Sequence, residues 1–153
     1  MEHIIQEQIL PISRAEAWEF FSHPHNLEKI TPNNLGFSTT SCPAGAIYPG
    51  AIIIHRLQLA PFLAIPWVTE IKTVEEGHAF VDEQRFGPYR FWHHRHSFTD
   101  TEGGVLIRDE VHWKAPLEPF SAPVKALFVK PRTLALFEHR RQILADYFGA
   151  SKS

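Results

Sequence analysis

The chain has 153 residues, 44% hydrophobic and 21% charged, the length of one ordinary domain with enough apolar content for a sizeable core. That composition excludes an intrinsically disordered chain, and a formal net charge of −2 excludes a global basic field for nucleic acid. The single cysteine, Cys42, excludes an internal disulfide and fits a reducing compartment.

Ile4 to Leu10 reads as an opening strand stopped by Pro11. Ser13 caps a helix, with Glu16 three residues on completing a capping box, and Ala17, Trp18, Phe20 and Phe21 supply its apolar side. Pro24 ends that helix, and His25 to Ile30 forms a second short one before Thr31-Pro32. Leu35 to Thr40 is a strand, followed by a loop containing Pro43, Gly45, Pro49 and Gly50. The isoleucine-rich run Ala51 to Leu59 suits a central strand, and Pro66 to Val74 alternates as the next. The apolar passage Leu57 to Val68 is short and interrupted by Pro61 and Pro66, so no membrane span is expected. Met1-Glu2-His3-Ile4-Ile5 does not have the charge pattern of a signal peptide, which leaves the expectation of a soluble, cytoplasmic protein.

Glu76-Gly77 turns the chain into a hairpin, Phe80 to His96, closed by Gly87-Pro88. The turn Thr101-Glu102-Gly103-Gly104 leads to a further strand, Val105 to Trp113. Pro116 and Pro119 then break the sheet pattern. Leu134, Phe137, Arg141, Leu144 and Phe148 recur at helical spacing, with Leu127 and Phe128 upstream. Pro131 fits either the first turn of this helix or a kink in a longer one beginning near Ser121, and Gly149 is a suitable stop. Arg140 and Arg141 are adjacent, so they cannot both face the sheet. No repeat, low-complexity segment or linker interrupts the order, so residues 1–153 are expected to form one domain. The predicted architecture is α+β: an antiparallel sheet of about seven strands wrapped around a long C-terminal helix, with two short helices after the first strand.

The chemistry concentrates in the hairpin. Side chains alternate faces along a strand, which puts Trp92, His94, His96 and Phe98 on one face and Phe80, Asp82 and Gln84 together on the neighbour. If the turn pairs Gln84 with Trp92, Asp82 lies opposite His94 and Phe80 opposite His96. The next turn sets His96 beside Asp109 and Trp92 beside Trp113. One sheet face then carries Trp92, Trp113, Phe80 and Val111 around Asp82, His94, His96 and Asp109. Buried carboxylates and imidazoles are costly unless paired, so this face suggests a wet or ligand-filled cavity; a core polar network or an exposed sheet face is the plainer alternative.

The element order resembles the START-like superfamily, also called SRPBCC or the Bet v 1-like helix-grip fold. A narrower resemblance is to bacterial polyketide cyclase/dehydrase-like ligand-binding proteins. It is carried by Pro24-His25-Asn26-Leu27 with Ile30-Thr31-Pro32, Phe80-Val81-Asp82-Glu83-Gln84, Gly87-Pro88-Tyr89, Trp92-His93-His94-Arg95-His96-Ser97-Phe98, Asp109-Glu110-Val111, and Phe137 with Arg140. The resemblance implies a deep cavity between sheet and long helix that holds an apolar or aromatic small molecule, but it transfers no reaction. A related domain occurs beside short-chain dehydrogenase-like domains in proteins labelled cell-division inhibitors. This sequence has no Gly-x-Gly-x-x-Gly strand–turn–helix unit, so no such activity is expected of it.

Three chemistries suit these residues. For a bound hydrophobic or aromatic metabolite (lipid- or polyketide-like), Trp67, Trp92 and Trp113 supply walls, and Asp82, Gln84, His94 and His96 orient a polar end; the resemblance adds Phe137 and Arg140. For a cyclase or dehydratase, His94 or His96 is the general base, Asp82 or Asp109 orients the ring, and Arg140 stabilises an enolate. For a metal, His94-x-His96 with Asp109 or Asp82 offers ligands, but without a third histidine in a recognised spacing no metal or other cofactor is expected. A structural or partner-binding role for the exposed aromatics, and the oligomeric state, stay open.

Overall fold

A computed structural model of the chain describes residues 1–31, 36–116 and 130–149. Ser13 starts the first helix, α1 (Arg14–Phe21), as the capping box predicts: its hydroxyl accepts from the Glu16 N–H at 3.2 Å, and the Glu16 carboxylate accepts from the Ser13 N–H at 2.8 Å. A second helix, α2 (Asn26–Lys29), follows at once, tied back by the Asn26 side-chain amide, which donates to the Phe20 carbonyl at 2.9 Å. Before them lies β1 (Glu2–Leu10). After them come β2 (Phe37–Ser41), β3 (Ile52–Ala60), β4 (Leu63–Glu75), β5 (Ala79–Phe86), β6 (Phe91–Thr101) and β7 (Gly104–Lys114). The last helix, α3 (Lys130–Leu144), passes into one π-helical stretch, Ala145–Gly149.

The seven strands form one antiparallel sheet in the order β1-β7-β6-β5-β4-β3-β2. Every neighbouring pair except β1–β7 is consecutive in sequence, so the chain meanders and the first strand closes against the last. Gly104 makes the β6–β7 reversal at φ 129°, where an added Cβ would run into the Leu10 carbonyl oxygen. The inner face buries two apolar groups. Leu10, Trp18, Phe21, Ile71, Phe98 and Leu144 belong to one; Trp92, Val111, Trp113, Ala115 and Phe137 form the other. α1 inserts Trp18 edge-on against Phe80 and Phe98. α3 brings Phe137 against His94 (ring centroids 5.8 Å apart), and its Arg141 carbonyl accepts from the Gln8 amide at 2.8 Å.

One boundary differs from expectation in an instructive place. β4 begins at Leu63 and runs straight through Pro66, which pairs with Arg56 of β3. A proline lacks the N–H for a ladder, but β4–β5 pairing starts only at Val68↔Phe86, so at Pro66 the strand is locally an edge. Pro131 lies in the first turn of the helix as described from Lys130. The expectations involving Leu35, Pro119, Leu127, Phe128 and a helix start near Ser121 lie outside the described residues. Among the described residues, no helix is long and apolar enough to cross a membrane.

Candidate functional site

The β5–β6–β7 register places the polar residues as the alternation argument requires. Phe80 pairs with His96 and Asp82 with His94; His96 pairs with Asp109 and Trp92 with Trp113. Two carboxylates and two imidazoles thereby meet on the inner face, with His94 and His96 each only 5% exposed. The rings lie 3.7 Å apart between centroids, and Phe80 stacks on His96 at 4.2 Å. Asp109 Oδ1 is 2.8 Å from His94 Nε2 and 2.9 Å from His96 Nδ1. Asp82 Oδ2 is 2.9 Å from His96 Nε2 and 3.6 Å from His94 Nδ1. Each imidazole thus sits between both carboxylates. The His96 Nδ1 contact is an ion-pair approach without hydrogen-bond alignment.

These contacts set the charges. For Asp109, burial favours the neutral acid, but the bond from His94, the close approach of His96 and the charge of Arg140 outweigh it and hold the carboxyl well below the usual range. Asp82 is lowered too, the bond from His96 and the charges of His94, His96 and Arg140 overcoming its burial. Burial pushes both imidazoles down. In His94 that effect, joined by repulsion from His96, wins; in His96 the close approach of Asp109, the bond to Asp82 and the charges of both win, and its pKa is raised. Around pH 6.5 the group therefore favours an imidazolium at His96 between two carboxylates, beside a neutral His94. An ionised carboxylate only accepts, so the His94 nitrogen facing Asp109, Nε2, carries the proton, and Nδ1 keeps its lone pair.

Arg140 of α3 faces this group. Its guanidinium lies 5.6 Å from the Phe21 ring centre, and its buried Nε has no hydrogen-bond partner among the described residues. Arg141 turns outward and pairs with Glu138 at 3.0 Å.

The polar group borders a cavity of about 170 Å³ between the sheet, α1, α2 and α3. Of the residues singled out from sequence, Trp67, Asp82, Trp92, His94, His96, Phe137 and Arg140 line it. Asp109 lies behind the histidines, on a smaller hollow with Gln6 and Gln8. Gln84 and Trp113 do not line the cavity. The β5–β6 ladder ends at Glu83↔His93, so Gln84 does not pair with Trp92. Its amide closes the turn instead, donating to the Tyr89 carbonyl at 2.6 Å and accepting from the Tyr89 N–H at 3.2 Å. Trp113 is fully buried beneath Trp92 and Phe137 in the second apolar group.

Sequence reasoning missed His55 and Thr69, buried polar residues of β3 and β4, and the Phe20–Phe21 wall of α1. The one available signal was His55 alternating with Ile53 and Leu57 inside an apolar strand. The Trp67 indole N–H adds a buried donor with no partner among the described residues.

No family model matches this sequence, and no curated protein matches it. Solved structures do. Protein NE0264 from Nitrosomonas europaea is similar over 98% of this chain and 96% of its own, with a TM-score of 0.70 at 13% identity. Ara h 8.0201, a Bet v 1 homologue, is similar over 95% and 98%, with a TM-score of 0.63 at 12% identity. A nucleoside-diphosphate sugar epimerase from Corynebacterium glutamicum is similar over 94% of this chain but only 28% of its own, with a TM-score of 0.66 at 21% identity. At these identities the likeness speaks for the fold alone. The chain shares with these structures the α+β helix-grip fold, a seven-stranded antiparallel sheet with a C-terminal helix.

Proposed function

We propose that this chain binds a small hydrophobic or aromatic molecule in the cavity between sheet and α3. The apolar body of the ligand lies against Trp67, Trp92 and Phe137, and a polar end meets Asp82, His94, His96 and Arg140. The observation that carries this reading is a buried charged group bordering one side of a mainly apolar cavity. Such groups fix the orientation of a ligand whose affinity comes from apolar burial. The Arg140 Nε and Trp67 Nε1 supply donors that a bound oxygen would satisfy.

Native mass spectrometry of freshly purified protein, followed by denaturing extraction, tests this directly. A discrete organic adduct lost on denaturation is expected. A preparation without adduct is then titrated with the fluorophore 1-anilinonaphthalene-8-sulfonate. Stoichiometric binding is expected for the parent chain, with loss in Ile53→Trp, which puts an indole into the cavity wall. No adduct and no saturable binding would overturn the reading.

One observation favours a second reading, an acid–base enzyme of cyclase or dehydratase type. His94 is neutral, borders the cavity, and is oriented by Asp109 at 2.8 Å, the arrangement of a positioned general base. Under that reading His94→Gln loses turnover of a found ligand while keeping its affinity. Under simple binding there is no turnover to lose.

A further inference from the structure

The polar floor of the cavity also has the geometry of a cation site. Asp82, His94 and His96 each offer one ligand atom, and the three atoms lie within 4.8 Å of one another. Asp82 Oδ2 stands 2.9 Å from His96 Nε2 and 3.6 Å from His94 Nδ1. Nitrogen and oxygen ligands about 2.1 Å from a divalent transition ion lie about 3.0 Å apart at right angles and about 3.4 Å apart in a tetrahedron. The two distances from Asp82 bracket these separations, and the third pair lies within 4.8 Å.

Tautomer and support agree. With His94 Nε2–H donating to Asp109 at 2.8 Å, the Nδ1 lone pair is directed to the side where Asp82 lies. Two acceptors facing each other repel, and a cation between them turns the pairing into attraction. Asp109 then plays the carboxylate partner that orients a metal-bound imidazole and raises its basicity. The ligands come from paired positions of adjacent strands, Asp82↔His94 with His96 two residues on, so the sheet holds their spacing. Arg140 opposes a cation here, and the two carboxylates offset its charge.

We propose that Asp82, His94 and His96 form a binding site for a divalent transition-metal ion of the zinc type, the ion displacing to solvent the Nε2 proton that His96 holds against Asp82, with Asp109 as outer partner and the cavity side open to a further ligand. Two imidazoles and one carboxylate make a borderline-soft donor set that selects zinc, cobalt or iron over magnesium and calcium. Three protein ligands with an open position belong to sites that present or activate a bound oxygen rather than to closed structural ones. The site goes beyond the organic-ligand reading and does not depend on it.

The outer sheet face carries a second trio, His3, Glu110 and His112, so the test must separate the two. Metal-stripped His112→Gln protein is titrated with zinc by calorimetry and with cobalt(II) by visible absorption. One equivalent bound, with a cobalt d–d spectrum, is expected. Asp82→Asn is expected to weaken binding more than 100-fold, and Asp109→Asn by about 10- to 100-fold. Near-UV circular dichroism confirms that each variant compared is folded. No ion bound by the His112→Gln protein overturns the proposal whatever the other variants do, as does an affinity within threefold of its parent in folded Asp82→Asn/His112→Gln protein. An organic adduct in metal-free protein that binds no zinc overturns this proposal and leaves the previous one standing. One equivalent of zinc, with neither adduct nor saturable fluorophore binding, does the reverse.

Discussion

Asp109→Asn tests the charge assignment of the inner face with the smallest change of shape. Asparagine keeps the volume and a carbonyl acceptor for His94 Nε2, but removes the negative charge that both imidazoles and Arg140 share. Hydrogen bonds to a charged group contribute about 1.5–3 kcal/mol and neutral ones about 0.5–1.5, so downgrading the His94 bond at 2.8 Å costs roughly 1 kcal/mol. Leaving the His96 imidazolium with one counter-charge adds to this, and loss of a whole buried ion-pair partner sets a ceiling of about 3–5 kcal/mol. The expected loss is about 3 kcal/mol near pH 6 in metal-free protein. That is a fall in Tm of roughly 6–12 °C for a chain of this size.

The pH dependence is more diagnostic than the size. Asp109 has a depressed folded pKa, so its stabilisation is present above the ordinary value of 3.8 and is lost as pH falls through the folded pKa. His96 has a raised folded pKa, so its share is complete below the ordinary 6.5 and is lost as pH rises through the folded value. The stability gap between parent and variant is therefore widest between about pH 4 and 6.5 and narrows on both sides. Urea unfolding followed by tryptophan fluorescence at stepped pH measures it, with an unchanged m value as the check on two-state behaviour. A gap under about 0.5 kcal/mol at pH 6, or one flat from pH 3 to 9, would refute the assignment of a charged His96 between two carboxylates.

Three further outcomes follow from single positions. His94→Gln should flatten the decline of stability below pH 6.5, because a histidine with a depressed folded pKa takes up its proton more readily in the unfolded chain; stepped-pH urea curves from 7.5 to 5.5 report it. Gly104→Ala should lose about 3 kcal/mol or more by denaturation midpoint, since the new Cβ meets both an unfavourable φ and the Leu10 carbonyl. Ser13→Ala should cost about 1 kcal/mol by the same measurement, the usual value of a lost N-cap.

How far the site could be read from sequence depended on the range of each contact. Asp82, His94, His96 and Asp109 were legible because two short turns and strict alternation bring them together: one hairpin register places each of the others. Gln84 shares that face but lies beyond the last β5–β6 pair, where its amide has a turn to close. Trp113 shares it too, yet the cavity opens toward β3 and β4 whereas Trp113 lies toward β1, so membership of a face did not predict a place in the wall. His55, Thr69 and the phenylalanines of α1 reach the cavity through packing between elements distant in sequence, which no local period reports. Pro66 misled for a related reason: β4 outruns β5, a fact of strand lengths rather than of composition.

The inner face itself argues that the polar group is not there to hold the fold. On β7, Asp109 lies between Ile107 and Val111, both at most 2% exposed, and on β6 the histidines lie between Trp92 and Phe98, both buried. Apolar side chains therefore pack on this face immediately to either side. Replacing a buried ionic group with well-packed apolar residues is commonly neutral or stabilising by about 1–4 kcal/mol. A fold needing only a covered sheet would be at least as stable with valine or leucine at these four positions. The charges are instead placed where their neighbours balance them almost completely, three of the four residues border the cavity, and the fourth orients one of those three. Stability gives no reason for that combination, whereas the proposed recognition of a polar or metal-bound group inside a mainly apolar cavity would supply one.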